Sequence, residues 1–298
     1  MTPPVAYLEL PRETYDSLDA WNASFLKLAI QRTPAHAWNA YRAPDRAPSK
    51  DSPAFRIGTL LHEALLEPAV WQRIQPCSSG ASTKAFAEAV KAAAADGKTI
   101  AQASEYDLAH AMSAAVLQHP VLGSYFEPTP ENVALNELTL TWTDHNTGLR
   151  CKARLDALRI TDEEILVLDL KTTQDAGPLE FGRSAASYGY LLQGAFYADA
   201  AYYCGRAIEE ALGLPEGQLI GRAVTFEFVA VEKEAPHQIA RYRLTADQAV
   251  MGRRLYQRGL SQVSVATNLN WWHGYDTAPA PLELPNWAWA QMEQLLTD

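Results

Sequence analysis

The change of hydrophobic period near residue 133 constrains the fold of this chain most. Three successive segments alternate apolar and polar residues or run continuously apolar, as β-strands do: "VALNELTLTW", "GLRCKARLDALRI" and "EEILVLDLKTT". The "DHNTG" between the first two is typical of a hairpin turn. We therefore expect three neighbouring strands that pair in sequence order.

The segments that follow continue a mixed pattern. A long helix is predicted for "SYGYLLQGAFYADAAYYCGRAIEEALG", ending at Gly213. The stretch "GRAVTFEFVAVEKEAPHQIARYRL" returns to strands, and "TADQAVMGRRLYQRGLSQV" is a helix with Thr245 as its N-cap. The order strand, strand, strand, helix, strand, strand, helix predicts an α/β fold with a central mixed β-sheet flanked by helices.

The N-terminal part has the period of helices. We expect one helix over 12–31, an irregular Pro- and Asp-rich segment after it, and a helix from Gly58 that stops near Pro68. Ala-rich helices should follow at about 82–95 and 104–118. The chain is interpreted as one domain over 1–298, with a mainly helical part at 1–130, the core at 131–265 and a Trp- and Pro-rich tail at 266–298. That tail is either an irregular cover over the core or a subunit contact.

Composition and charge exclude some classes of protein. The net charge of -10 argues against a chain that coats nucleic acid by general electrostatics, although a local basic channel stays possible. Cys77, Cys151 and Cys204 are widely spaced and indicate neither a disulfide framework nor a cysteine metal site. No apolar run is long enough to span a membrane and the first residues lack a signal-peptide pattern, so we expect a cytoplasmic protein without membrane contact.

Two aspartates on neighbouring strands point to chemistry. Along "LRCKARLDAL", the basic residues share strand parity with Asp156, and along "LVLDLKTT", Asp169 and Lys171 point to one face. If the two strands form a hairpin through "ITDEE", Asp156 and Asp169 come together on the same side. Two adjacent carboxylates need a raised pKa or a cation, and oxygen ligands of this kind suit Mg²⁺ or Mn²⁺.

Each of these features also has an ordinary structural explanation. Asp169 and Lys171 could form an ion pair worth about 0 to 1 kcal/mol. His62 in "GTLLHEALLEP" could be a core histidine, and Glu137 in "NELTL" could be a plain strand residue as easily as a neighbour of a metal or water. The basic residues before Asp156 could be a solvated strand face, and a half-buried helix face would explain Gln193 and Tyr197.

Taken together and in this order, the motifs resemble a known family. Asp156, followed thirteen positions later by Asp169-Leu170-Lys171, resembles the D…(D/E)xK core of the PD-(D/E)xK nuclease superfamily. The GxxxH pattern that ends at His62 and the QxxxY pattern of Gln193 and Tyr197 narrow the resemblance to the RecE-like branch, also called exonuclease VIII. The resemblance covers about residues 5–245. The proline of the superfamily name is absent before Asp156.

The resemblance implies a restriction-endonuclease-like core with a specific site. The implied metal ligands are His62, Asp156, Asp169 and the backbone carbonyl of Leu170, with Mg²⁺ as the ion and Mn²⁺ as a substitute. Lys171 would orient the attacking water and offset charge on the transition state. The resemblance implies two further groups of residues. Gln193 and Tyr197 would form hydrogen bonds to Lys171 or to a phosphate, and the residues in contact with DNA would be Arg150, Lys152 and Arg154.

The resemblance also implies a function. It predicts an Mg²⁺-dependent exodeoxyribonuclease that degrades duplex DNA from its ends, 5′ to 3′, and leaves single-stranded tails. A RecT-like single-strand annealing protein would be its partner, and a ring-shaped homo-oligomer, a trimer or tetramer, would be its assembly. Two alternatives stay open. One is another enzyme of the superfamily, although the four-cysteine cluster of such enzymes is absent here; the other is a catalytically inactive nuclease fold that binds DNA ends or serves in assembly.

Overall fold

The strands and helices of the chain form an α/β fold in the computed structural model, which describes residues 2–47, 52–126, 133–276 and 278–297. The strands within these ranges are Val5–Tyr7 (β1), Ile74–Cys77 (β2), Thr99–Gln102 (β3), Val133–Thr143 (β4), Arg150–Ile160 (β5), Glu164–Thr173 (β6), Ala223–Glu232 (β7) and Ile239–Arg243 (β8).

The helices precede, interrupt and follow these strands. Eight lie before the main run of strands: Arg12–Ser17 (α1), Ala23–Gln31 (α2), Pro34–Tyr41 (α3), Pro53–Leu66 (α4), Pro68–Trp71 (α5), Lys84–Ala95 (α6), Ala103–Gln118 (α7) and Gly123–Phe126 (α8). The others within the described ranges are Pro178–Tyr188 (α9), Tyr190–Tyr203 (α10), Gly205–Leu212 (α11), Ala246–Asn268 (α12) and Asn286–Thr297 (α13).

A six-stranded mixed sheet forms the centre of the molecule. Its strand order is β1-β4-β5-β6-β7-β8. The pairs are antiparallel except β6 with β7, which are parallel and connected through α9, α10 and α11. This arrangement confirms the predicted fold class, including the three adjacent strands β4, β5 and β6. A separate parallel pair, β2 with β3, was not predicted.

Strand β6 is covered on both faces, which explains its continuous apolar run. Leu166, Leu168 and Leu170 pack into a cluster with leucines of α4 and with Met112 of α7. Val167, of the opposite parity, belongs to the larger core that includes residues of α10 and α12. The sheet is thus a layer between α4 and α7 on one side and α10 and α12 on the other, and the C-terminal half of β6 faces helices from both layers.

Several predicted helices are divided in the structure. The helix expected over 12–31 is two helices, α1 and α2, and α3 lies in the segment expected to be irregular. The long helix that ends at Gly213 is three helices, because Gly189 adopts φ +65° between α9 and α10 and Cys204 separates α10 from α11. The end of α4 before Pro68 and the Thr245 capping box of α12 are as predicted.

The Trp-rich tail divides into two parts. Trp272 stacks on Trp38 with ring centroids 4.4 Å apart and also contacts the ring of Phe25, so this part covers the core as expected. The last part is the helix α13 rather than irregular chain, and its Trp287 is 70% exposed. The subunit-contact interpretation of the tail stays a prediction. None of the helices in the described residues is long and apolar enough to cross a membrane.

Candidate active site

Strands β5 and β6 separate at the two predicted aspartates. Their backbone pairing ends at Ala157 opposite Leu168, and Asp156 and Asp169 are the next residues beyond that pair. The carboxylate Oδ2 of Asp156 accepts a hydrogen bond from the backbone amide of Leu170 at 2.7 Å. A side chain therefore continues the contact between the strands where the backbone ladder stops, and this holds the Asp156 carboxylate beside β6.

Helix α4 brings His62 to the same point. Ser52 caps this helix, and the side of the helix at Gly58 runs close to β6, because a Cβ there would lie 3.7 Å from Thr172 Oγ1. The Nε2 atom of His62 lies 3.2 Å from Asp156 Oδ2 and 3.3 Å from the carbonyl oxygen of Leu170. Three of the four predicted metal ligands thus meet at one place.

Asp169 lies beside them but is bonded to other partners. Its side chain is buried, and it forms an ion pair through Oδ2 with Lys171. Its Oδ1 accepts a hydrogen bond from Nε2 of Gln193 at 2.7 Å. Gln193 thus holds Asp169 rather than Lys171, and its predicted contact with a phosphate stays a prediction.

The ammonium of Lys171 has an aromatic environment as well as its ion pair. Its Nζ lies 5.3 Å from the ring centroid of Tyr190 and 5.9 Å from that of Phe228. Ring faces attract a cation at this distance. The side chain is thereby held at the C-terminal end of β6, next to the carboxylate it neutralises.

Burial and mutual charge set the protonation of this group of residues. Burial raises the pKa of Asp169 to about 6, and the charge of Asp156 adds to the rise, while Lys171 opposes it. Burial also works against ionisation of Asp156, but the charge and hydrogen bond of His62 outweigh it and lower the pKa of Asp156. Burial disfavours the protonated form of His62, but the charge of Asp156 and its hydrogen bond to His62 have the larger effect, so the pKa of His62 is raised.

Tyr197 follows Gln193 by one turn of α10 and lines the same cleft as His62. Burial raises the pKa of its hydroxyl well above the ordinary value. A side-chain hydrogen bond with Gln193 opposes this rise.

The predicted basic row does not form an open polar face. Lys152 is buried, and its Nζ donates to the backbone carbonyls of Tyr15 at 2.7 Å, Leu18 at 2.9 Å and Asp16 at 3.1 Å. The alternative of a solvated strand face is wrong for this residue, because the N-terminal segment covers the strand at this point. Contact between Lys152 and DNA would require these three bonds to break.

Arg154 is buried in the same way. It forms an ion pair with Glu137, lies 3.5 Å from Glu67 and donates to the carbonyl of Leu10 at 2.7 Å. Arg150, which is half-buried, has a weaker side-chain contact, 3.5 Å to Thr141 Oγ1. Of the three predicted DNA-contacting residues, Arg150 is the one whose side chain is least committed to the protein itself.

Glu137 lies at the edge of this site. Its neighbours in β4 pair with Leu155 and Ala157, which places Glu137 across from Asp156. It has φ +53°, a conformation that costs energy for a residue with a side chain. Burial and the charge of Asp156 raise its pKa. The structure thus places Glu137 near the catalytic candidates, a position that the strand pattern alone left open.

Sequence reasoning missed other charged groups near the site. Lys27 of α2 lies close to Lys171: burial, followed by the charge of Lys171, lowers the pKa of Lys27 to about 8. Glu63 follows His62, and burial together with Glu67 raises the pKa of Glu63 to about 7. No motif marks Lys27, because its approach depends on how α2 packs, whereas the adjacency of Glu63 to His62 was visible in the sequence.

A large cleft of about 1230 Å³ opens onto His62 and Asp156. Residues of α1, α2, α3 and α4 line it, among them Phe55, and so do Arg42 and Arg46 of the segment that follows α3. A smaller cavity of about 550 Å³ lies beside α10, α12 and β7 and contains none of the predicted site residues. The large cleft therefore connects His62 and Asp156 with the solvent.

The donor set fits a small divalent cation in part. His62 Nε2 lies 3.2 Å from Asp156 Oδ2 and 3.3 Å from the carbonyl oxygen of Leu170. Both distances are close to the roughly 3 Å between neighbouring ligand atoms of an octahedral Mg²⁺. In the residues that the structure describes, however, no group of three or more His, Cys, Asp or Glu side chains is arranged to hold a metal. Both carboxylate oxygens of Asp169 accept hydrogen bonds, one from Lys171 and one from Gln193.

Comparisons with known proteins concern the family and the fold of the chain. No curated protein matches the chain. Among solved structures, a candidate exonuclease from Eubacterium rectale superposes with a TM-score of 0.54 at 13% identity, covering 93% of this chain and 96% of that one. The protein SSO0001 has a TM-score of 0.29 at 15% identity, covering 72% of this chain and 85% of that one.

The family comparison covers most of the chain. Residues 23–275 match the family described as a PDDEXK-like domain of unknown function (DUF3799). This range contains the central sheet from β4 to β8 and all the residues predicted for the site. The family and the shared fold support a nuclease, and nucleases of this fold generally use divalent metal ions. The chain therefore belongs to the PDDEXK-like family DUF3799.

Proposed function

We propose that this protein is a divalent-metal-dependent exodeoxyribonuclease that hydrolyses duplex DNA from its ends. The observation that carries the proposal is the convergence of three sequence motifs at the point where β5 and β6 separate. His62 and Asp156 line the large cleft, and the Leu170 carbonyl and the Asp169–Lys171 pair lie beside them on β6.

The ligands would be His62, Asp156, Asp169 and the carbonyl of Leu170, with Mg²⁺ as the ion and Mn²⁺ as a substitute. A divalent cation supplies Lewis-acid chemistry, lowering the pKa of a water and offsetting charge on the scissile phosphate. The proximity of His62 Nε2 to Asp156 Oδ2, 3.2 Å, and to the Leu170 carbonyl oxygen, 3.3 Å, supports this set of ligands. Asp169 would join them by exchanging one of its hydrogen bonds.

Lys171 and Asp169 would exchange partners during this step. When Asp169 releases Lys171, the ammonium becomes free to orient the attacking water and to offset charge that develops on the phosphate. Gln193 would keep its bond to the other oxygen of Asp169 and so fix the orientation of the carboxylate. Tyr197, protonated at neutral pH, would donate a hydrogen bond towards the phosphate.

The mode of attack and the partners come from the RecE-like resemblance. We propose cleavage in the 5′ to 3′ direction from duplex ends, single-stranded tails as product, a RecT-like annealing protein as partner and a ring-shaped homo-oligomer as the assembly. The candidate exonuclease from Eubacterium rectale, which has the same fold over 93% of this chain, supports the exonuclease part of this proposal.

A second candidate function is a catalytically inactive module that binds DNA ends or serves in assembly. One observation favours it: both carboxylate oxygens of Asp169 are held by other side chains of the protein, Lys171 and Gln193. The presence of the whole set of ligands and of Lys171 favours the enzyme instead.

The two candidates separate in one assay. End-labelled linear duplex, the circular form of the same duplex and single strands are incubated with Mg²⁺ or with EDTA. The enzyme should shorten the linear duplex with Mg²⁺ and leave the circular duplex intact. Equal degradation of circles would contradict end dependence, and binding of linear ends without any cleavage would support the inactive module. Asp156→Asn is the control for a contaminating nuclease.

A further inference from the structure

An exposed phenylalanine lies in the cleft that leads to the candidate active site. Phe55 stands in the first turn of α4, where its backbone amide bonds to the capping hydroxyl of Ser52 at 3.2 Å. Its side chain lines the cleft and is 60% exposed. The core of the protein therefore does not account for this aromatic ring, and water surrounds most of it.

The ring shares a helix face with His62. Phe55, Thr59 and His62 are spaced by four and three residues, which places them on one side of a helix, and all three line the cleft. With a rise of 1.5 Å per residue, Phe55 lies about 10 Å from His62 along the axis. That separation places the ring within one or two nucleotides of a phosphate held at His62.

Another aromatic residue and a cation occupy the same cleft. Tyr41, at the end of α3, is 39% exposed, and its ring packs against that of Phe25 with centroids 6.0 Å apart. Arg46 is exposed and donates to the carbonyl of Tyr41 at 2.8 Å. Aromatic rings alternating with cations are what proteins use to bind single-stranded nucleic acid, with the rings stacking on bases and the cations meeting phosphates.

We infer that Phe55 stacks on an unpaired base of the strand whose phosphate lies at His62 and Asp156, an inference that rests on the proposed function. A base within a duplex is stacked on its neighbours and has no free face for a phenylalanine ring. The two strands of a duplex end must therefore separate beside the scissile bond before the cleft takes the strand that is cut. Because every base has a π-face, this contact carries no sequence preference.

The acidic character of the chain makes such a contact more important. A net charge of -10 provides little long-range attraction for DNA. The described cations of the cleft include Lys152 and Arg154, which are bonded to the protein itself. Stacking on Phe55 supplies affinity that does not depend on net charge, at a position close to the reacting phosphate.

Binding measured without cleavage tests the inference. Fluorescence anisotropy in EDTA follows a labelled oligothymidylate of about twelve nucleotides, within the usual site size of single-strand binding proteins. Phe55→Ala should weaken binding roughly fivefold or more. Phe55→Trp should bind at least as well as the unchanged protein, whereas Phe55→Leu, which keeps an apolar side chain without a ring, should bind nearly as weakly as Phe55→Ala.

A matched control and a modified strand make the result specific. Tyr202 is 63% exposed on α10 and lines the smaller cavity, so Tyr202→Ala should leave binding unchanged. A strand of the same length whose residues lack bases should bind weakly and equally to the Phe55 variants. If Phe55→Ala binds oligothymidylate as well as the unchanged protein, or if the baseless strand shows the same loss, the stacking inference is wrong.

The outcome is distinguishable from failure of the proposed function. If Phe55→Ala binds normally while the unchanged protein degrades linear duplex with Mg²⁺, the nuclease proposal stands and only the stacking inference falls. If the unchanged protein neither binds the strand in EDTA nor cleaves duplex, both fall together.

Discussion

Asp156 bonds to the backbone amide of Leu170 at 2.7 Å, and His62 lies within 3.3 Å of the carbonyl of the same leucine. The backbone amide of Leu170 thus donates to Asp156, and its carbonyl oxygen lies close to His62. This relationship joins β5, β6 and α4 at a single residue whose own side chain is buried in the core. The positions of the functional groups are therefore coupled to core packing.

Replacing Lys171 should separate catalysis from metal binding. Lys171→Ala should lower the cleavage rate by about 10² to 10³, the usual effect of removing a transition-state donor. Lys171 lowers the pKa of the buried Asp169, so the variant without the lysine should have a higher pKa at Asp169. The calorimetric titration with Mn²⁺ is therefore carried out at about pH 8, which favours the ionised carboxylate. There, metal affinity should be near that of the unchanged protein.

Replacing the other member of the pair is the matching control. Asp169→Ala should lose both metal binding and cleavage, because it removes a ligand rather than a donor. Two variants with the same small stability loss and full activity would identify the pair as a plain ion pair. Cleavage by Lys171→Ala within a few-fold of the unchanged rate would mean that this motif is not the catalytic one.

Metal affinity should rise steeply with pH near neutrality. The pKa of Asp169 is raised to about 6 and that of His62 is also raised, so both hold a proton more readily than free side chains. Each must lose its proton to bind a cation. Calorimetry with Mn²⁺ should show binding at about pH 8, much weaker binding below about pH 6, and release of protons on binding. If the affinity for Mn²⁺ does not change between about pH 6 and pH 8, the predicted ligand set is wrong.

The stability of the metal-free protein should change in the same range. For Asp169 the folded-state pKa, about 6, lies above the unfolded value of about 3.9. Its contribution to stability is fully present below the unfolded pKa and is lost as pH rises through about 6. Asp169→Asn, which is neutral at every pH, should lose this part of the pH dependence. Urea denaturation of both proteins without metal, between about pH 4 and pH 8, measures the difference.

Lys152 should affect folding rather than DNA binding. Lys152→Met removes the donor of the hydrogen bonds to three backbone carbonyls. A hydrogen bond from a charged group contributes about 1.5 to 3 kcal/mol to the free energy of unfolding. The free energy of unfolding from urea denaturation should fall by an amount of that order. The salt dependence of DNA binding should stay the same.

Arg150 provides the comparison for that result. If it meets a phosphate, Arg150→Ala should flatten the slope of log K against log salt by about 0.9 on duplex DNA while changing stability little. A flattened slope for Lys152→Met, with unchanged stability, would show that the lysine leaves its carbonyls to contact DNA.

Gln193 should matter through Asp169. Gln193→Ala removes the hydrogen bond to Asp169 Oδ1, so the carboxylate loses its orientation and the affinity for Mn²⁺ should fall. Gln193→Glu should be worse, because it places a second carboxylate against a buried one. If Gln193→Ala changes only the affinity for DNA and leaves metal binding intact, the original assignment of this residue to a phosphate contact is correct.

The sequence by itself determined the strands β4 to β8, the neighbouring order of β4, β5 and β6, and the motif positions. Period-two alternation over β4 and β5 and the apolar run of β6 are local properties that survive in almost any tertiary context, so the proximity of Asp156 and Asp169 could be predicted from parity and a hairpin. The fold class followed from the order of these elements. The role of His62 in the site was implied by the resemblance of the Gly58 to His62 segment to the GxxxH motif.

Tertiary structure decided which of these groups are free to act. Strand parity placed Lys152 and Arg154 on a polar face, but the N-terminal segment covers that face and binds both side chains. Strand parity predicts the face of the sheet on which a side chain lies, but it does not predict which segment of the chain packs against that face. The bond of Gln193 to Asp169, the approach of Lys27 and the cleft before Phe55 also depend on how separate helices pack against the sheet, and packing between distant segments leaves no local pattern in the sequence.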